Sequence, residues 1–392
     1  MCRTPSTIHL DGEGDAIALT TLKDLFMNAP FRADQVGSLL RPAELSRARR
    51  QFKAGELEAD ALSAIEDRAI TEAVRRQQDI GLQGIADGEF RRDWWHLDFL
   101  ARLDGVALQD NLGPKFNAEG HEQPPIATVT GKVACSKPIM VDDFAFLKSV
   151  TKGTPKMTIP SPSMLHLRGG RAAISKQAYP DLAEFWSDVA AAYRDAIGHL
   201  YDAGCRYLQL DDITFAYLCD AKIQSNCRAN GDDPALLPRI YADTINAALA
   251  GKPDDLRVTI HTCRGNFKSA WVAQGGYAPV VEAMFSTNVD GYFMEFDSER
   301  AGGFEPLHVL QDSGDRAKKV VLGLVTTKVG ALESKDELKR RIDEAAKALP
   351  LERLCLSPQC GFSSTHHGNA LSLDEQWHKL ERVIEVAHDV WG

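Results

Sequence analysis

Short apolar runs rich in β-branched and aromatic residues alternate along the chain with longer segments whose apolar positions recur every three or four residues. The runs predict strands at Asp34–Gly37, Gly84–Gly88, Lys156–Ile159, Arg206–Leu210, Leu256–Ile260, Gly291–Met294, Val320–Leu324 and Arg353–Leu356. Between them Asp181–Ala203, Pro234–Ala250 and Lys335–Leu349 carry an amphipathic helical period. Alternation of this kind builds a parallel sheet covered by helices. Eight strands in order predict an α/β fold, a (β/α)8 TIM barrel, as a single domain over residues 31–392. The stretch from about 103 to 141 breaks the alternation with Gly, Pro and β-branched residues and reads as a hairpin-like insertion. Residues 1–30 read as an N-terminal extension.

Composition narrows the function class. With 392 residues, 44% of them hydrophobic and 26% charged, the chain has material for a sizeable core. A net charge of −10 and the absence of any Lys/Arg cluster argue against nucleic acid as a partner. No run approaches the roughly 20 apolar residues that span a bilayer, and the N-terminus lacks the apolar core of a signal peptide. The expected compartment is therefore the cytoplasm, with no membrane partner. The eight cysteines, at positions 2, 135, 205, 219, 227, 263, 355 and 360, are too sparse for a disulfide framework and read as reduced thiols. Cys205 and Cys355 lie inside apolar runs, as core residues do.

In a barrel of this type reactive groups gather where strands end. The apolar runs end at Gly37 and Ser38, at Glu89, at Asp211 and Asp212, at His261 and Cys263, at Glu295, and just before Cys360. His261 and Cys263 are two residues apart, which in extended backbone turns both side chains to one face. Imidazole and thiolate are donors that zinc favours, and a carboxylate with a second thiolate completes such a set. Each of these residues alone reads as readily as a packed core group or a helix cap. Their shared place at strand ends favours a metal.

At these residues the chain resembles the catalytic barrel of cobalamin-independent methionine synthase and its single-barrel relatives. The resemblance spans roughly residues 31–390 and rests on VGSLLRP at 36–42, DGE at 87–89, QLDD at 209–212, HTC at 261–263, MEFDSERAGGFEPL at 294–307, LGLVTTK at 322–328 and SPQCGF at 357–362. It implies Zn2+ held by His261, Cys263, Glu295 and Cys360. It also implies that a thiol amino acid is held by the Gly37–Ser38 backbone and by Glu89 and Asp211. The implied reaction is transfer of a methyl group to a small thiol such as homocysteine, the metal-bound thiolate being the nucleophile, as in methionine biosynthesis.

The chain also departs from the family pattern. It has one barrel where full-length methionine synthases have two, which leaves the methyl donor open among methyl-folate, methyl-corrinoid and others. Where those enzymes carry a histidine that assists the folate leaving group, this chain reads Thr327-Lys328. Lys328, and His366 and His367 after SPQCGFSST, are the candidate proton donors. Trp94 and Trp95 are candidates for lining a donor pocket. Two other readings compete: a zinc-dependent thiol:epoxide alkyltransferase or C–S lyase, and a metal-free barrel related to uroporphyrinogen decarboxylase or a binding protein. The oligomeric state is open, with a homo-oligomer among the options.

Overall fold

A computed structural model describes residues 29–110, 125–266, 271–315 and 317–392. Its strands are β1 (Gly84–Ile85), β2 (Asp104–Gln109), β3 (Ile126–Ala134), β4 (Thr154–Pro160), β5 (Tyr207–Asp212), β6 (Arg257–Thr262), β7 (Gly291–Glu295), β8 (Lys319–Val325) and β9 (Leu354–Pro358). Seven of them form one sheet in the order β1-β4-β5-β6-β7-β8-β9. Every pairing in it is parallel. Seven of the predicted strands thus appear in sequence order, with β9 as the other edge.

The first predicted strand does not form. The backbone from Arg32 to Leu39 instead touches both sheet edges through isolated parallel bridges, Ala33 with Leu356 and Ser38 with Gly88. Asp34 N donates to Leu356 O at 3.0 Å and Leu39 N to Gly88 O at 3.1 Å. Two local competitors explain the loss of a continuous ladder. The Asp34 carboxylate accepts from the amides of Phe31 (3.0 Å) and Gln35 (2.8 Å), diverting them from a strand partner. On the β1 edge the Gln77 side chain bonds Ala86 in both directions, at 2.8 and 3.0 Å, where a strand would otherwise pair.

The helices form where the period predicts. Asp181–Ala203 becomes Leu182–Asp202, with the Asp181 side chain accepting from Ala183 N as an N-cap. Pro234–Ala250 becomes Leu237–Ala248. Lys335–Leu349 ends early, at Ala346, after a Ser334 cap that accepts from Glu337 N. Between β1 and β4, β2 and β3 form an antiparallel pair. Tyr179 fastens it to the helix behind: its hydroxyl accepts from Val133 N at 2.7 Å and donates to Asp188 Oδ2 at 2.8 Å. Of the segment 1–30, residues 1–28 lie outside the described residues, while Ala29 and Pro30 are buried.

Cys205 and Cys355 are fully buried. The sheet also encloses charge. Lys156 on β4 and Asp34 have no exposed side-chain surface and stand 3.2 Å apart. Tyr207 donates its hydroxyl to the same carboxylate at 2.7 Å. Among the described residues no helix is long and apolar enough to cross a membrane.

Candidate metal centre and substrate pocket

Parallel register brings the predicted ligands together from the ends of β6, β7 and β9, the last separated from β7 by β8. His261 pairs with Asp211 across β5 and β6, and its Nδ1 lies 3.2 Å from Asp211 Oδ1. That carboxylate fixes the ring: Nδ1–H donates, leaving Nε2 as an acceptor. The extended alternation continues one residue past β6, since Cys263 N donates to Asp212 O at 2.7 Å. Cys263 therefore emerges on the same face as His261. Glu295 closes β7, and Cys360 follows β9, its Sγ 3.5 Å from Cys263 Sγ.

One ligand atom from each of His261, Cys263, Glu295 and Cys360 lies within 4.8 Å of the others. All four residues are at most 9% exposed. His261 Nε2 and Glu295 Oε2 are buried with no hydrogen-bond partner, although Glu295 Oε1 accepts from Arg264 N at 2.8 Å. Two acceptors orphaned beside two thiols is the state expected of ligands whose common partner is a cation. The donor set, one nitrogen, two sulfurs and one oxygen, is one that suits zinc. The hydrogen bond from Cys360 holds the Cys263 thiol below its ordinary value, and Gly265 N adds a donor at 3.3 Å. The same sulfur pair, with burial, pushes Cys360 well up. Burial pulls the His261 imidazole down, but its bond to Asp211 and the neighbouring thiol and carboxylate outweigh this and leave it raised.

Glu89 and Asp211 line the same pocket, together with Ser38. Glu89 sits at φ 59°, a left-handed conformation that surrounding bonds must hold. Thr158 donates its hydroxyl to Glu89 Oε1 at 2.7 Å, and Arg92 lies 3.4 Å from the same oxygen. Arg41 ties the Glu89 loop to the loop after β9, donating to the carbonyls of Glu89 (3.0 Å), Arg92 (2.7 Å), Ser363 (3.2 Å) and Thr365 (3.1 Å). Burial pushes the Glu89 carboxyl up to about 7, with Arg92 opposing and Asp211 adding. An ammonium gripped by Glu89 is bound by the ionised carboxylate alone, so affinity should rise with pH through that value. Calorimetry should show homocysteine binding gaining up to about tenfold more between pH 6 and pH 8 than 3-mercaptopropionate, which lacks the amine and carries only the slope of thiol ionisation.

Two glycines are required by close approach. Gly37, at φ 141°, has room for no Cβ: one built there would stand 2.8 Å from Thr158 Cγ2. A Cβ on Gly361 would stand 1.9 Å from Ser38 Oγ. Gly361→Ala should therefore separate the Cys360 loop from Ser38 and weaken metal retention by about tenfold, read as the metal content left after dialysis.

Asp212 is used otherwise. Its Oδ1 accepts from the amides of Thr214 (2.6 Å) and Phe215 (3.0 Å), and its Oδ2 from the hydroxyls of Ser163 (2.7 Å) and Ser161, so it holds the loop after β5. Lys328 does not line the pocket; its Nζ pairs with Asp297 at 3.3 Å. His366 and His367 stack on each other at 3.9 Å between centroids and pack on Trp94 at 5.6 Å each, behind the lining. Trp94 and Trp95 do line it, as do His96, Arg168, Tyr217 and Asn266, which sequence reasoning missed. His96 follows the tryptophan pair directly, the one local signal that pointed there. Arg168 and Asn266 lie in loops with no periodicity to mark them.

The family described as cobalamin-independent synthase, catalytic domain, matches residues 31–388. An uncharacterized protein of Bacillus subtilis, YxjH, is 47% identical over 371 residues, 93% of this chain and 95% of that protein. A 5-methyltetrahydropteroyltriglutamate–homocysteine methyltransferase of Thermotoga petrophila is 21% identical over 85% of this chain but only 42% of its own length. The chain thus spans about two fifths of that relative. Among solved structures, the putative vitamin-B12 independent methionine synthase of Listeria monocytogenes superposes with a TM-score of 0.74 at 38% identity, covering 93% of this chain and 99% of that one. A B12-independent methionine synthase of Shewanella sp., solved with selenomethionine, shares the fold at a TM-score of 0.67 and 19% identity, covering 92% and 97%.

Proposed function

The chain belongs to the cobalamin-independent synthase catalytic-domain family, and from that premise we propose that it is a zinc-dependent enzyme transferring a methyl group to a small thiol such as homocysteine. The observation that carries the reading is the convergence of His261, Cys263, Glu295 and Cys360, with an imidazole nitrogen and a carboxylate oxygen left unpartnered at its centre. Bound by these four, zinc would keep a substrate sulfur in the nucleophilic thiolate form at neutral pH. The segment 32–39 is read as the degenerate strand that closes a (β/α)8 barrel, and it brings Ser38 to the pocket.

The protein's own residues then position the thiol. Glu89 and Asp211 receive its ammonium, and the Gly37–Ser38 backbone also holds the thiol amino acid. Asp211 has a second task, orienting His261. Alignment of sulfur and methyl donor supplies most of what remains, since an in-line displacement needs geometry above all. Lys328, His366 and His367 are read as supports acting through Asp297 and Trp94 rather than as groups that touch substrate. Methyl-folate, methyl-corrinoid and other methyl donors remain the options for the second substrate. A metal-free decarboxylase-like barrel gives the two orphaned acceptors no purpose.

Zinc-edge X-ray absorption of the purified protein with and without homocysteine is the test. About one equivalent of zinc with two sulfur neighbours, gaining a third on adding homocysteine, is the expected result. Less than about half an equivalent, unchanged by His261→Ala, would sink the proposal. Identifying products by mass after supplying methyl donors or epoxides separates methyl transfer from epoxide alkylation, which uses the same thiolate.

A further inference from the structure

The residues lining the pocket are not of one electrical kind. Glu89 lies in the field of Arg92, Asp211 and Asp87. His96 lies in the field of Arg168. Both His96 and Arg168 line the pocket, with Trp94, Trp95 and Tyr217. His96 is 2% exposed, its ring lies 4.6 Å from that of Trp95 between centroids, and neither Nδ1 nor Nε2 has a hydrogen-bond partner. Burying both nitrogens of an imidazole without partners costs stability. Native proteins keep such groups where something outside the chain completes them. Burial, reinforced by Arg168, holds the ring well below its ordinary value, so it is neutral, with one N–H to donate and one nitrogen to accept.

We propose that His96 and Arg168 form an oxyanion subsite within this pocket, selecting a co-substrate that carries a carboxylate or phosphate group and whose apolar part packs on Trp94 and Trp95. The inference rests on the pocket being the alkyl-transfer site. A guanidinium supplies the charge, and the imidazole N–H supplies a second, directional donor to the same group. A cationic co-substrate is rejected at this place by Arg168, whereas the ammonium of the thiol is received at Glu89 and Asp211. The oxyanion has two sources of the same chemistry: the carboxylate of the thiol itself, or an anionic group on the alkyl donor.

Four preparations decide it: wild type, His96→Phe, His96→Gln and Arg168→Met, each checked for zinc content and melting temperature. Intrinsic tryptophan fluorescence reports occupancy through Trp94 and Trp95. The probes are homocysteine, 3-aminopropanethiol (the same thiol and amine without the carboxylate), and glutarate and inorganic phosphate added to protein saturated with homocysteine. If the thiol supplies the oxyanion, wild type prefers homocysteine over 3-aminopropanethiol by about tenfold or more, and His96→Phe and Arg168→Met erase the preference. If the donor supplies it, homocysteine binding stays within about twofold, and glutarate or phosphate binding weakens by about tenfold or more in both variants. His96→Gln, which keeps a donor and an acceptor, should fall between wild type and His96→Phe. The proposal is overturned if neither effect appears in any variant, including the case in which only the melting temperature falls. Wild type that holds zinc but shows neither the preference for homocysteine nor any glutarate or phosphate binding would sink this subsite alone, while absent zinc with anion binding intact would sink the metal reading alone.

Discussion

Replacing Cys360 by serine is expected to cost the protein its metal and its turnover together. Cys360 is one of the two sulfurs of the proposed metal site, 2% exposed, and its Sγ lies 3.5 Å from that of Cys263. A hydroxyl is a poor zinc donor beside a thiolate. A four-ligand zinc site is worth about 10–16 kcal/mol, so loss of one strong ligand should remove roughly a quarter of that, or a factor of about 10²–10³ in affinity. Metal content after dialysis against a mild chelator, and methyl transfer with metal restored, are the two measurements. Asp211→Asn supplies the contrast. It leaves all four residues in place and, besides weakening the grip on the ammonium, loosens the orientation of His261, so its metal affinity should fall by about 10–100-fold. Equal metal content in Cys360→Ser and wild type would remove Cys360 from the ligand set.

The convergence of His261, Cys263, Glu295 and Cys360 was legible in the sequence because its geometry is simple. Two residues of spacing in extended backbone is a statement about direction, and it holds at Cys263 since the β6 ladder runs one hydrogen bond further than the strand itself. Strand ends likewise placed Glu295 and Cys360. Lys328 is a candidate by family position rather than by a strand end; three residues beyond Val325, its ammonium pairs with Asp297 and it is not among the residues lining the pocket. The strand predicted at Asp34–Gly37 failed for a different reason. Alternation describes which face a residue occupies, while the Asp34 side chain competes for the very amides a strand would use.

His96 and Arg168 show the limit on the side of the site. They enter the pocket from loops, where side-chain direction follows from tertiary packing rather than from any period. The tryptophan pair marked the right loop, but the unsatisfied nitrogens beside it are a property of the folded protein. Lys156 and Asp34 show the same limit in the core. They lie 122 residues apart in the chain, and a lysine opening an apolar run reads as a surface residue until the neighbouring strands close around it.

Asp34→Ala is expected to be the most damaging single substitution outside the metal ligands. The wild-type carboxylate accepts from Phe31 N, Gln35 N, Lys156 Nζ and the Tyr207 hydroxyl, so every side of it is used. Removing it leaves the Lys156 ammonium fully buried without its counter-ion, above the rings of Phe293 (4.0 Å) and Tyr207 (4.8 Å). Breaking one partner out of a buried pair costs about 3–5 kcal/mol, against a typical total stability of about 5–15 kcal/mol. A drop in melting temperature on the order of 4–6 °C follows for a chain of this length. Burial pulls the Lys156 ammonium below its ordinary value. Between that lowered value and the unfolded one the unfolded chain holds more protons, so this group's contribution to stability rises with pH there. Lys156→Met should be milder than Asp34→Ala, because Asp34 keeps its two amides and the tyrosine. The double variant Asp34→Ala/Lys156→Met should recover part of the loss, as apolar replacements of buried pairs do. Denaturant melts of the two single variants and the double close the cycle, and simple additivity would show that the pair is not coupled and that the cost lies in the lost hydrogen bonds to Phe31, Gln35 and Tyr207.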